Sequence, residues 1–284
     1  MTVRRAICVS HDASNCHAVE RALASTGLAV EHVAAIGPGS DPDVALIVVD
    51  RPTRQAAPAA LRAVTAPVVV VGDDLDDDTL IALMLESTVS HLVRDPHDRD
   101  LGITSEKLAS GDLFGLEKYV ADGARIWERV VVGDTGKRRA RDEVCAWAES
   151  VGARRPTLHR IASVVDELVM NASSCETPDR GVAVRWAADD RALAISVGDA
   201  RGRLRQRDVI DHVLRARHDR GRPNPTSAGG AGLGLYLVLA NVAALVVNVA
   251  PGVRTEVVCL FDLARGRQPS VTGVRSLHVF AACG

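Results

Sequence analysis

Through residues 1–96, short unbroken apolar runs alternate with stretches of helical period. "RRAICVS", "LAVEHVAA", "DVALIVVD", "APVVVVGDD" and "SHLVRD" read as strands. "NCHAVERALASTG", closed by Gly27, "APAALRAVT" and "DDDTLIALMLES" read as helices. Strands rich in Val and Ile from end to end, with helices between them, predict a parallel sheet covered on both faces. The region is therefore expected to be a small doubly wound α/β domain. Residues 97–124 mix polarity around Gly102, Gly111 and Gly115. They read as a connector with one short helix at "TSEKLAS", capped by Thr104.

The pattern changes from residue 125, where a second domain running to residue 284 is expected. "IWERVVVGD" is a strand and "GKRRARDEVCAWAESVGA" a helix, with Val144, Trp147, Ala148 and Val151 at helical spacing. Pro156–Thr157 opens "LHRIASVVDELVMNAS", whose Leu158, Ile161, Val164, Val165 and Leu168 share one face. "GVAVRWAAD" and "ALAISVGD" form a hairpin. The helix "RQRDVIDHVLRARH" follows, and the Gly/Pro/Ser-rich residues 218–231 read as a mobile loop. "GLGLYLVLANVAAL" is a helix, "VVNVA" and "RTEVVCLFDL" are strands, and an extension follows after about residue 265.

Composition narrows the function classes. Of 284 residues, 47% are hydrophobic and 25% charged, ordinary globular values. The net charge of -2 provides no global field for nucleic acid or an anionic membrane, so neither is an expected partner. Aromatics are 3%, which leaves the core to Val, Leu, Ala and Ile. The six cysteines follow no metal-binding spacing and read as free thiols of a cytoplasmic protein. No apolar run is long enough for a membrane span.

Candidate chemistry begins in "SVVDELVMNAS". Glu167 and Asn171 stand four apart, hence on one helix face. A carboxylate beside a triphosphate can orient or deprotonate a nucleophile, and an Asn oxygen one turn on can ligate Mg²⁺. In "GDARG", Asp199 ends a buried strand, where it can accept from an exocyclic amine, and Gly202 admits a flat ring. In "AGGAGLGL", Gly230, Gly232 and Gly234 lead from loop into helix, where free N–H groups favour phosphate.

Taken in this order, "DELVMNA", "GDARG" and "GGAGLGL" resemble the N box and two glycine boxes of the ATPase superfamily of gyrases, histidine kinases and mismatch-repair ATPases (GHKL). Thr255 in "RTEVVCLFDL" matches the late-strand Thr behind the adenine site. The resemblance covers about residues 125–265. It implies a two-layer α/β sandwich of the Bergerat type that binds ATP and Mg²⁺. Asn171 would ligate the metal, Asp199 the adenine amine, and Gly202 would line the base pocket. Gly230, Gly232 and Gly234 would cradle phosphate, and Glu167 would be the catalytic base. The glycine box departs from the fuller pattern at Arg203–Leu204, and His159 matches no phosphoacceptor position. Within the superfamily the layout is most similar to anti-sigma-factor serine kinases. The implied partner is then a regulator, a sigma factor or an anti-anti-sigma-like substrate, and the resemblance allows a homodimer. Two alternatives stand beside the kinase: a non-catalytic ATP-binding docking module, and a histidine-kinase-type ATPase without its own phosphoacceptor domain.

The first domain, over residues 1–96, resembles a response-regulator receiver, with Asp50 in the place of the phosphoacceptor. Ser10 and His11 stand where that family has its acidic pair, with Asp12 one step late. Gly72 replaces the hydroxyl residue and Arg94 the lysine. The resemblance therefore implies a pseudo-receiver used as a docking surface, with Asp50 as the candidate phosphoacceptor.

Overall fold

The computed structural model describes residues 4–36, 41–56, 58–72, 82–83, 89–96, 99–173, 181–205, 207–209, 234–263 and 276–282. The chain divides into two compact units, Met1–Leu113 with Arg275–His278, and Phe114–Val274 with Val279–Gly284. Both are mixed α/β.

In the first unit, β1 (Arg5–Val9), β2 (Ala29–Val33), β3 (Val44–Asp50), β4 (Val68–Val71) and β5 (Val89–Val93) form a parallel sheet in the order β2-β1-β3-β4-β5. This is a doubly wound order whose direction reverses between β1 and β3, the switch point where such sheets bind ligands at their carboxyl ends. Every residue of β3 and β4 is buried, as the unbroken apolar runs predict. Helix α1 (Ala13–Leu23) is capped by Asp12, whose side chain accepts from Ser14 N at 2.8 Å. Helices α2 (Arg51–Ala56) and α3 (Pro58–Arg62) follow β3. The stretch "DDDTLIALMLES" lies outside the described residues except Ala82–Leu83.

The connector expectation is corrected here. Helix α4 spans Arg99–Ser110, three full turns, and packs on α1 and β3 inside the first unit. Thr104 does not cap it. The residue is buried in mid-helix, with Oγ1 at 3.4 Å from both ring nitrogens of His278. The helix escapes a reading by apolar period because its buried residues are mostly polar, Asp100, Thr104, Ser105 and Lys107 beside Leu101. Asp100 accepts from Ser276 Oγ at 2.5 Å. His91 and His278 stack at 5.6 Å between ring centroids. Burial, with the nearby Lys107 charge, lowers the His91 pKa to about 3 and keeps its ring neutral. The last strand, β11 (Ser276–Ala281), has no counterpart in the sequence expectations. Its residues Ser276–His278 pair antiparallel to β5 in the first unit.

The second unit holds an antiparallel sheet, β9-β10-β8-β7-β6. Its strands are β6 (Trp127–Val131), β7 (Val182–Ala188), β8 (Ala192–Asp199), β9 (Ala244–Ala250) and β10 (Arg254–Asp262). Its helices include α5 (Gly133–Ser150), α6 (Arg155–Ser173) and α7 (Gly234–Asn241). The α6 helix buries Ile161, Val164, Val165, Leu168 and Val169, touches α5 and α7, and packs on β8 and β7. Arg141 reaches Asp166 at 3.1 Å across the α5–α6 pair. Six successive residues of β8, Ala192–Val197, are buried. Alternate side chains face opposite ways, so both faces of this strand are covered. The 3₁₀ turn Leu116–Tyr119 packs on β8 and β7 as well. Among the described residues, no helix is long and apolar enough to cross a membrane.

Candidate functional site

The apolar stripe of α6 fixes the helix on the sheet, and that orientation sets the half-buried edge where Glu167 and Asn171 lie. Asn171 Nδ2 donates to Glu167 Oε1 at 2.9 Å. Two oxygens facing each other would repel, so this contact fixes the amide orientation and leaves Asn171 Oδ1 to serve as a ligand atom. Burial pushes the Glu167 carboxyl above its ordinary range, and the Asn171 hydrogen bond opposes that shift. Gly234, the first residue of α7, comes so close to Glu167 that a Cβ there would overlap the carboxylate. The Glu167 carboxylate thus sits against the start of α7. A carboxylate is favourable at a helix N-terminus. Gly230 and Gly232 lie outside the described residues.

A second group forms at the end of β8. Asp199 and Thr255 are register partners across the β8–β10 pair. Directly opposed residues of an antiparallel pair project to the same face. Asp199 Oδ1 accepts from Arg201 N at 2.8 Å and Gly202 N at 3.3 Å, which closes the turn after the strand. Among the described residues Asp199 Oδ2 has no donor. Thr255 is 4% exposed, and its buried Oγ1 has no hydrogen-bond partner among the described residues. An unmet buried hydroxyl is costly, and native structures hold few of them without a reason.

Gly202 has a structural reason of its own. It adopts φ +58, and a Cβ would overlap the Ala250 carbonyl oxygen in the β9–β10 turn. Its carbonyl also accepts from Gly252 N at 3.2 Å. The space a side chain would need is filled by backbone, so the glycine is explained without a bound ring.

Within the second unit the structure thus forms two groups, Glu167–Asn171–Gly234 and Asp199–Thr255–Gly202. They are linked by the packing of α6 on β8. His159 is exposed on α6, away from the helix's buried residues.

In the first unit, Asp50 ends β3 with both carboxylate oxygens engaged. Oδ1 accepts from Thr53 N at 2.8 Å as an N-cap of α2, and Oδ2 accepts from Ser10 Oγ. The residue is 6% exposed. Asp12 is committed to capping α1.

One polar group in the second unit escaped the sequence reading. Glu256 Oε2 accepts from Gly115 N at 2.9 Å and from Asn248 Nδ2 at 3.1 Å, and both side chains are buried. Glu256 and Asn248 are register partners on β10 and β9. The available signal was Asn248 inside the apolar run "VVNVA" and Glu256 directly before the apolar run "VVCLF".

No family model and no curated protein matches this chain. A chain in the crystal structure of the SiaB–SiaC complex from Pseudomonas aeruginosa is similar over 48% of this chain and 88% of its own length. The identity is 13% and the TM-score 0.34, too loose a likeness to bear on function.

Proposed function

We propose that the second unit binds ATP with Mg²⁺ and acts as a protein kinase of the anti-sigma-factor type, phosphorylating a Ser or Thr of a partner regulator. The protein is then a cytoplasmic signalling component whose first unit offers a docking surface. One observation carries this reading: Asp199 presents an open carboxylate oxygen beside the orphaned, buried hydroxyl of Thr255. An acceptor next to a polar group that lacks a partner suits the exocyclic amine and ring nitrogen of a purine. Asn171 Oδ1 is turned away from Glu167 and suits Mg²⁺, a hard cation that takes oxygen ligands. Bound Mg²⁺-ATP would supply the transferable phosphoryl group and neutralise its charge. Glu167, with its carboxyl held above the ordinary range, suits a base that takes a hydroxyl proton.

Equilibrium binding of ATP with Mg²⁺ to the full chain tests the reading. Binding by the wild type that is lost in Asp199→Ala and weakened in Asn171→Ala is the expected result. A wild type that binds no ATP would sink it. The second reading, a non-catalytic ATP-binding docking module, has its own support. Glu167 lies against Gly234 at the start of α7, where a carboxylate stabilises a helix end without chemistry. Glu167→Gln separates the two. Retained ATP binding with loss of acid-stable phosphate on the partner favours the kinase; ATP binding and partner regulation both unchanged favour the docking module.

A further inference from the structure

Four residues of the first unit meet at one corner, from three elements. The parallel register of β1 and β2 sets Cys8 opposite His32. Cys16 and Glu20 are one turn apart on α1, hence on the same face of that helix. Cys8 Sγ lies 3.9 Å from Cys16 Sγ, and Glu20 Oε1 lies 2.6 Å from His32 Nε2. The ligand atoms of Cys8, Cys16 and His32 all lie within 4.8 Å of one another. Cys8 is buried, Cys16 half-buried and His32 exposed, so the group opens from the core to solvent.

We propose that Cys8, Cys16 and His32 form a binding site for a thiophilic divalent cation, Zn²⁺ by chemistry, with Glu20 as the carboxylate that completes or orients it. The donor set is two sulfurs, an imidazole nitrogen and a carboxylate, which are zinc ligands. Two sulfurs on a tetrahedral zinc with Zn–S near 2.3 Å stand about 3.8 Å apart, close to the separation here. A covalent bond would instead need them at about 2.05 Å. Simple core packing accounts for Cys8, which sits among Ala6, Val19 and Leu23. It does not account for an imidazole and a carboxylate at the same corner. The exposed face of His32 provides the entry path such a site requires. The spacing of Cys8 and Cys16 matches no metal motif, because the ligands are gathered by strand register and not by a local loop.

The test uses the full chain, reduced with a phosphine, stripped by a chelator and titrated with Co²⁺ alone. The expected result is one equivalent bound, with thiolate-to-cobalt charge-transfer absorption and tetrahedral d–d bands that Zn²⁺ abolishes. Zn²⁺ is also expected to raise the thermal midpoint of the wild type. His32→Gln, at an exposed position that leaves the core intact, and Cys16→Ser are each expected to weaken binding by about tenfold or more. Cys145→Ser, in the second unit, is expected to leave it unchanged. A wild type without charge-transfer absorption overturns the proposal, as do bands that survive in both His32→Gln and Cys16→Ser. A Cys8–Cys16 disulfide in oxidised protein, with no metal uptake by the reduced form, also overturns it.

Discussion

Asp50 and Asp199 occupy matching places in the two units. Each is the last residue of a largely buried strand, and each accepts a backbone N–H from the segment that follows, a helix start for Asp50 and a turn for Asp199. They differ in what is left over. Asp50 spends its second oxygen on Ser10 and is nearly inaccessible. Asp199 keeps its second oxygen, is half-buried, and faces the same side as an unmet hydroxyl. In the sequence the two acids look alike, "IVVDRP" and "SVGDAR". The difference between a capping acid and a candidate recognition acid is set by neighbours 40 and 56 positions away, Ser10 and Thr255.

The largest expected effect removes the frame that holds Asp199 in place. Gly202→Ala forces a side chain into a left-handed residue and against the Ala250 carbonyl. Destabilisation by about 3 kcal/mol is expected, read as a shift of the urea midpoint of the purified variant. A variant within about 0.5 kcal/mol of the wild type would break the account, because the turn would then be tolerant and Asp199 not fixed by it.

The sharpest form of the comparison exchanges the readouts. Asp50→Ala removes the cap of α2 and leaves Ser10 without its acceptor, at a cost of about 1–2 kcal/mol, with ATP affinity unchanged. Asp199→Asn retains the Oδ1 acceptor of the turn and replaces the open oxygen with a donor. Its stability is expected to stay within about 0.5 kcal/mol, while ATP affinity falls by about ten- to a hundredfold. Paired urea denaturation and calorimetric binding check both. Equal behaviour of the two variants in either assay would erase the distinction.

Local pattern carried much of the fold into view. The apolar runs of β3 and β4 and the single-faced stripe of α6 state their burial directly, because hydrophobic period is a local property. What stayed hidden depends on distant partners. The α4 helix buries mostly polar residues, so its period says little until Ser276 and His278 are seen against Asp100 and Thr104. Gly202 reads as a place for a ligand, whereas the Ala250 carbonyl already takes that space. The pairing of Asp199 with Thr255 rests on strand register, which no single strand encodes. The Glu167–Asn171 pair was legible because four-residue spacing on a helix needs no partner, but the approach of Gly234 to it was not.

A smaller effect tests the other half of the Asp199 pair. Thr255→Val replaces the hydroxyl with a methyl of nearly the same shape. Removing an unsatisfied buried group is expected to leave stability unchanged or raise it by up to about 1 kcal/mol. ATP affinity is expected to fall severalfold, so the two readouts move in opposite directions. A clear loss of stability would mean that the hydroxyl is already partnered within the fold, and the contrast with the closed Asp50 site would narrow.

The smallest effect is a pH dependence at Glu167. Burial raises its folded-state pKa above the ordinary value of 4.5. The folded state then binds more protons than the unfolded state between 4.5 and the raised value, so stability falls as pH rises through that window. Glu167→Gln removes the titration. Relative to this variant, the wild type is expected to be more stable at the acid end of the window than above it. Asn171→Ala removes the hydrogen bond that holds the pKa down, and is expected to extend the wild-type decline to higher pH. Urea midpoints of the three proteins measured across mildly acidic pH check this. Parallel curves for wild type and Glu167→Gln would show that Glu167 is solvated like a surface acid. The second unit's open acceptor at Asp199 would then stand without a buried carboxylate on α6.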